Sequence, residues 1–383
     1  MNDSDKLPET SLCGIAGPDG RDERQGSVPK RTGPALVMPA TTSGEIYGQP
    51  DEIITMAHGS GGRLYRQLVE EVFLPAFDNK YLRQLTDAAV VGCGGLQAAL
   101  TTDSFVVRPR FFPGGDIGRL SVCGTVNDLS MSGAVARYLT VGMILEAGLP
   151  LEELRRICFS MAAAAEEAGV YLVTGDTKVV ERGAGDGVYI NTAGLGLFPA
   201  GRSPLPQRLA AGDAILISGA LGDHGLAVMA ARENLGFDPP LISDVAPLNS
   251  LVEALLAAVP DVHALRDPTR GGIAAALNEW AAAAGKDILL EEGALPVAQP
   301  VRAAAALLGL DPLYVANEGK LLAAVPSAQA EAALAALRSH ALGRNAAIIG
   351  QVGEGGGLVS LRTAYGAERL IDMPEGDQLP RIC

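Results

Sequence analysis

Three prolines fall within Pro199-Ala-Gly-Arg-Ser-Pro-Leu-Pro206, and no regular element can run through them. Proline lacks the backbone N–H that a helix or a sheet ladder needs, and its ring clashes with the preceding turn. The segment is the best internal boundary of the 383-residue chain, which predicts one block before it and another after it. Apolar residues on both sides carry both structural periods. After Pro150, the residues Leu154, Ile157, Met161 and Ala165 recur three or four apart, which predicts a helix with one buried face. Other helices are expected over 64–77, through 126–131, from Leu226 onward, and over 248–258 and 273–284. Strands are expected over 53–56, into 101–103, and over 170–173, 188–197 and 214–217. Strands and helices mix without strict alternation, and no exact repeat links the blocks. The fold class is α+β.

The blocks read as a first domain over 51–200, a second over 201–355, and a C-terminal segment over 356–383 with a mobile tail ending in Cys383. Residues 1–50 mix Pro, Gly, Ser, Thr and charge without a sustained period, which predicts a flexible extension. The net charge of −14 argues against a nucleic-acid binder, which needs a basic footprint to displace counterions from phosphate. It equally disfavours attachment to anionic lipid. With 48% apolar and 19% charged residues the chain can bury a substantial core. No apolar run approaches the ~18 residues of a membrane span, and the N-terminus has no signal-like apolar region. Five cysteines without C-x-x-C spacing fit a reducing compartment, so a cytoplasmic enzyme is expected.

Neither a P-loop nor a dinucleotide-binding glycine fingerprint is present. Instead, aspartates recur at strand ends or in glycine-bearing turns: Asp103, Asp116, Asp128, Asp176 and Asp267. Carboxylates on separate loops can hold Mg²⁺ ions that bridge a polyphosphate, although any one of them could simply cap a helix. The loop His58-Gly-Ser-Gly-Gly62 opens a helix and could form an anion nest or a plain turn. Arg270-Gly-Gly272 gives a similar signal. Lys178, Glu318 and Lys320 are charges in apolar surroundings, open to reading as salt bridges or as proton-transfer groups. His224 and His263 read as capping or surface residues. Cys383 is the last residue, on a polar, proline-containing stretch. It is either an accidental thiol or the tip of a swinging arm that carries a group on sulfur.

The strings HGSGGR, TTDSFVV, FFPGGDIG, CGTVNDLSMSGA, VTGDTKVV, INTAGLG, SGALGDHG, LRDPTRGG, DPLYVANEGK and the terminal DQLPRIC resemble the HypE carbamoyl dehydratases of hydrogenase maturation. The resemblance runs from about Glu52 to Cys383 and is most specific in the last two strings. That family sits in an ATP-dependent superfamily with aminoimidazole ribonucleotide synthetase, selenophosphate synthetase and thiamine-monophosphate kinase. The resemblance implies a two-domain aminoimidazole ribonucleotide synthetase-like fold with mixed sheets, a homodimer formed through the N-terminal domain, and ATP near the interface. Residues 1–50 have no counterpart in it, and Ala305 stands where many relatives carry a cysteine.

The resemblance further implies that Asp103, Asp128, Asp176 and Asp267 serve Mg²⁺. It places Gly59, Gly61, Gly62, Asp116, Asn127, Thr177 and Arg270 with them around the nucleotide, Asp116 less securely. Cys383 would take a carbamoyl group from the HypF carbamoyltransferase. ATP would activate the amide oxygen so that phosphate, not hydroxide, leaves and a thiocyanate forms. Lys178 would face the developing oxyanion, and Glu318 would take the N–H proton. The cyanide precursor would pass to the HypC–HypD complex. Another superfamily activity such as selenophosphate synthesis has no need of the terminal cysteine. A non-catalytic thiol carrier has no need of ATP.

Overall fold

The computed structural model describes residues 54–59, 62–93, 96–202, 205, 208–374, 379 and 381–383. The expectation for residues 1–50, and the Gly61 assignment, lie outside these residues.

The first block contains α1 (Arg63–Leu68), α2 (Leu74–Phe77), β1 (Ala89–Cys93), β2 (Leu96–Phe105) and the short pair β3 (Phe111–Phe112) and β4 (Gly115–Asp116). It continues with α3 (Ile117–Met131), β5 (Val135–Glu146), α4 (Leu151–Ala168), β6 (Tyr171–Val180) and β7 (Val188–Leu197). Five strands form one sheet in the order β1-β2-β7-β5-β6. Its pairs are antiparallel except β5 with β6. On one face, α3 fills the pleat: a Cβ on Gly194 of β7 would stand 2.7 Å from the Thr125 methyl and 2.8 Å from Leu129. Helix α4 buries Ile157, Met161 and Ala165 as its period requires, with Leu154 half-buried. The opposite face of the sheet and its edge strand are open. Tyr171, Val173 and Val179 of β6 are 71%, 54% and 67% exposed.

The second block runs through β8 (Asp213–Ile217), α5 (Asp223–Arg232), α6 (Asn249–Ala258), β9 (Ala264–Arg266), α7 (Gly272–Ala284) and β10 (Ile288–Glu291). It ends with α8 (Gln299–Leu308), β11 (Leu322–Pro326), α9 (Ala330–Ser339), β12 (Ala347–Val352), β13 (Val359–Arg362) and β14 (Glu368–Leu370). Seven strands make a mixed sheet, β14-β13-β10-β12-β8-β11-β9, with β10 and β13 parallel. Helices cover both faces. Ala214 and Leu216 of β8 pack with α6 and α9, while Ile215 and Ile217 pack with α7. A strand covered on both sides reads as a continuous apolar run, which is how it was legible in the sequence.

A third core joins the blocks. The apolar face of the first sheet's helices continues into Leu226 and Ala227 of α5 and Val301 and Ala305 of α8, and it takes in Leu379 and Ile382 of the tail. Two expectations need correction. Of the 53–56 strand, Ile53 lies outside the described residues and 54–56 form no strand: Met56 opens a 3₁₀ turn over Met56–Gly59. The 64–77 helix is interrupted by a π turn at Val69–Phe73. Among the described residues, no helix is long and apolar enough to cross a membrane.

Candidate active site

Where the blocks meet, a cavity of about 1190 Å³ opens between the end of β2, the α3 flank, the loop before α7 and the tail. Small-molecule pockets usually occupy ~300–1,000 Å³, so the space suits a large polyanion or two ligands together. Carboxylates from separate elements line it: Asp87 before β1, Asp103 on β2, Asp128 on α3, Asp267 after β9, and Glu318 before β11. Arg266 and Arg270 face them, with Glu279 of α7 behind Arg266.

Backbone geometry brings these groups together. Gly272 sits at φ +59°, and a Cβ there would lie 2.5 Å from the Leu313 carbonyl. Only glycine lets the chain after Arg270 press so closely on the Leu313–Val315 backbone that leads into Asn317 and Glu318. Asn317 fastens the two: its amide donates to the Pro268 and Val315 carbonyls at 3.1 Å each, and its oxygen accepts from Gly222 N at 2.8 Å. The next residue but one, Gly319, would carry its Cβ only 1.8 Å from the Asp244 carbonyl. Glu318 is thus held by its main chain, with its N–H donating to Asp244 Oδ1 at 3.1 Å. Its side chain is 2% exposed, and Oε1 has no hydrogen-bond partner among the described residues.

The electrostatics follow from crowding like charges in a recess. Burial, then Asp267 and Asp103, push Asp128 well above the ordinary carboxylate range, although the Thr101 hydroxyl donates to it at 2.8 Å. Burial and then Asp87 raise Asp267 to about 7. Burial also raises Asp87 and Asp103, opposed by Arg266 and Arg270 respectively. Glu318 is pushed well up by burial, then by Asp267 and Asp103. Burial works against the Arg266 charge, but Asp87 and Glu279 outweigh it. Arg270 is held protonated first by the negative charge at Cys383, and its Nη1 donates to the Gly59 carbonyl at 3.3 Å. Such a wall invites a divalent cation, which relieves the repulsion. Among the described residues, no three His, Cys, Asp or Glu side chains close on one point as they stand. Mg²⁺ ordinarily keeps several waters and takes one or two carboxylates with phosphate oxygens, so the donor set fits it.

Of the residues singled out from sequence, the structure brings together Asp103, Asp128, Asp267, Arg270, Glu318 and Cys383 on this cavity. Gly59 touches its edge through Arg270, and Gly62 caps α1. Asp116 caps α3, accepting from Gly118 N at 2.7 Å and Arg119 N at 3.1 Å. The Asn127 amide ties α3 to the second block, donating to the Ala246 carbonyl at 3.2 Å and accepting from Leu248 N at 2.7 Å. Asp176, Thr177 and Lys178 stand exposed on β6, away from this cavity. Lys178 Nζ lies 2.7 Å from Asp176 Oδ2, which holds that carboxyl below its usual range. Lys320 is an ion pair with Asp244 at 3.0 Å.

The histidine readings need correction. His263 is largely buried and bonds Asp213 at 2.7 Å. His224 is fully buried, 2.8 Å from Ser243 Oγ and 3.0 Å from the Ile382 carbonyl. Sequence reasoning also passed over Asp87, Arg266 and Glu279. Arg266 directly precedes the motif aspartate, which was the available signal; Asp87 and Glu279 had none nearby.

Comparison with known proteins gives this cavity its context. The family model for the N-terminal domain of AIR synthase related proteins matches residues 85–198, and the model for the C-terminal domain matches residues 210–361. The carbamoyl dehydratase HypE of Cupriavidus necator is 54% identical over 332 residues, covering 86% of this chain and 95% of that protein. A crystal structure of hydrogenase maturation protein HypE in complex with ATP superposes with TM-score 0.73 at 49% identity, over 86% of this chain and all of that one. A HypE–HypF complex gives TM-score 0.76 at 51% identity, over 80% of this chain and 99% of that chain. With two-domain coverage, identity near one half and a shared α+β fold, the chain belongs to the HypE carbamoyl dehydratase family of AIR synthase related proteins.

Proposed function

We propose that this enzyme dehydrates a carbamoyl group carried as a thiocarbamate on Cys383, using ATP, to give a thiocyanate that supplies cyanide ligands for hydrogenase iron. One observation carries the reading: the terminal cysteine lies on the wall of the acidic cavity that Glu318 also lines, near enough to Arg270 to act on its charge. The amide oxygen attacks the γ-phosphorus of ATP and ADP leaves. The nitrogen then gives up its two protons, the C–O bond breaks, and phosphate departs with the oxygen as the nitrile forms. Glu318 suits the role of base. Burial and its acidic neighbours raise its proton affinity, and its Oε1 has no competing partner among the described residues. Arg270 offsets negative charge at the chain end. Asp103, Asp128 and Asp267 would hold Mg²⁺, which when bound neutralises the phosphates.

Lys178, assigned to the developing oxyanion, and Asp176 and Thr177 enter this scheme through a second copy. Val173, on the same strand, lines the cavity, and the bare apolar face around it calls for a cover. A homodimer built on that face completes each site with the partner's strand. The carbamoyl donor is a HypF-type carbamoyltransferase, in keeping with the HypE–HypF complex of a relative, and the acceptor is HypC–HypD. The reaction belongs in the cytoplasm, where the thiol stays reduced.

Intact-mass analysis tests the scheme. With the carbamoyltransferase and carbamoyl phosphate the protein gains one carbamoyl mass on Cys383, and with Mg²⁺–ATP it then loses one water. A carbamoyl mass that persists with ATP leaves a thiol carrier without dehydratase activity. A mass mapped to Cys158 rejects the swinging arm.

A further inference from the structure

The end of the chain is gripped by its main chain. Val106 N donates to the Cys383 carboxyl terminus at 3.2 Å and Arg108 N to the Arg381 carbonyl at 3.1 Å, a short antiparallel pairing on the extension of β2. Arg232 Nη2 also donates to the Arg381 carbonyl at 2.6 Å, while its Nε holds the Arg108 carbonyl at 2.8 Å. The carbonyl between them, on Ile382, accepts from His224 Nε2 at 3.0 Å. Three successive tail oxygens are thus caught, while Ile382 itself is 3% exposed in the shared core.

The ring of His224 is fixed before it meets the tail. A carbonyl can only accept, so Nε2 carries the proton and Nδ1 of the neutral ring must accept from the Ser243 hydroxyl at 2.8 Å. Val245 N donates to that hydroxyl oxygen at 3.2 Å, which turns its proton towards the ring. Phe112 meets the imidazole edge-on, with centroids 5.4 Å apart. Burial keeps the ring neutral by lowering its pKa, so the polarity of this relay is constant near neutral pH. The relay sits on α5 and the 241–248 segment, whose Asp244 also accepts from the Glu318 N–H at 3.1 Å.

We propose that His224 is a positioning residue for the terminal thiol: with Arg232 it forms a latch on the Arg381 and Ile382 carbonyls that sets how Cys383 divides its time between the cavity and solvent. The functional weight of the latch rests on Cys383 being the carrier, but its existence does not. A buried carbonyl that loses its donor must be exposed or stay unpaired, and either outcome shifts the tail outward.

The test is competitive alkylation of the full-length protein with N-ethylmaleimide, resolved by peptide mass spectrometry. Exposed Cys158 is the internal reference, and buried Cys123, its thiol pushed up to about 12, stays silent. His224→Phe keeps the ring and removes the donor. It should raise Cys383 labelling relative to Cys158 by roughly 5- to 100-fold, the equilibrium equivalent of one buried hydrogen bond. His224→Gln, whose amide nitrogen reaches the place of Nε2, should restore the wild-type ratio. Arg232→Met at a half-buried site gives an independent arm should the histidine variant not fold. In the carbamoylation assay, His224→Phe should load faster and dehydrate more slowly, a split that general destabilisation does not produce. An unchanged labelling ratio in folded His224→Phe or Arg232→Met overturns the latch. Failure of the carrier reading is a separate result: wild-type Cys383 would gain no carbamoyl mass.

Discussion

The two sheets of this chain draw on similar apolar residues and end in opposite states. The seven-stranded sheet is covered by helices on both faces, and its inner strand β8 is buried at every position. The five-stranded sheet packs α3 and α4 on one face and leaves the other bare, with the ten residues of β6 exposed or half-buried. An apolar strand left open on an edge is an association hazard unless something covers it. The difference teaches where each block spends its sequence. The second block covers both faces of its sheet; the first leaves one face of its sheet exposed. The acidic cavity lies where the closed block's loops face the open sheet.

The largest expected effect tests whether both blocks serve the cavity. Asp103 and Asp128 come from the open block and Asp267 from the closed one. Asn at any of the three should lower ATP turnover by on the order of 10²-fold or more, because a charge that must meet Mg²⁺–phosphate is gone. Stability should hold or rise, since each change relieves repulsion that now raises its neighbours' pKa values. Steady-state turnover with a melting curve reads both. Turnover that survives Asp267→Asn would remove the closed block from the metal site and leave its part in the chemistry to Arg270 and Glu318.

A pair of substitutions sharpens the contrast between the sheets. Leu216→Ala in β8 removes a fully buried side chain and should cost about 2–5 kcal/mol. Val179→Lys in β6 changes a residue 67% exposed, and should move single-chain stability by less than ~0.5 kcal/mol while abolishing self-association. Urea midpoints and sedimentation velocity separate the two. If Val179→Lys unfolds the chain or leaves a dimer intact, the open face is not the assembly surface.

Much of this contrast was legible beforehand, and the gaps have physical causes. Helix α4 announced itself through the spacing of Ile157, Met161 and Ala165, and β8 through its unbroken apolar run, because both patterns are local. Asp267 stood out for the glycines of its loop and Asp103 for its place near a strand end, whereas Asp128 lies within α3. Asp87, Arg266 and Glu279 did not, since only tertiary contact buries them together. His224 was misread for the same reason: its partner, Ile382, lies 158 residues further along the chain. Asp176 and Lys178 are plain in the sequence, yet a single chain leaves them paired with each other in solvent.

The smallest expected effect asks how closed the second block is. Asp223 begins α5 in a triad with Lys320 and Asp244, where burial raises its pKa to about 6 against the opposing pull of Lys320, with Asp244 adding to the rise. A raised carboxyl pKa means that the fold prefers the protonated form. Its stabilising contribution is therefore complete below the unfolded value near 3.8 and is lost as pH rises through about 6. Asp223→Asn, which cannot ionise, should equal or exceed the wild type at pH 7 by on the order of 1 kcal/mol, tempered by the lost charge at a helix N-terminus. The advantage should shrink as pH falls from 7 to 5, which a series of urea midpoints across that range would follow. An advantage that is flat with pH would mean Asp223 stays ionised and solvated, and that the second block is more open at α5 than its sealed sheet implies.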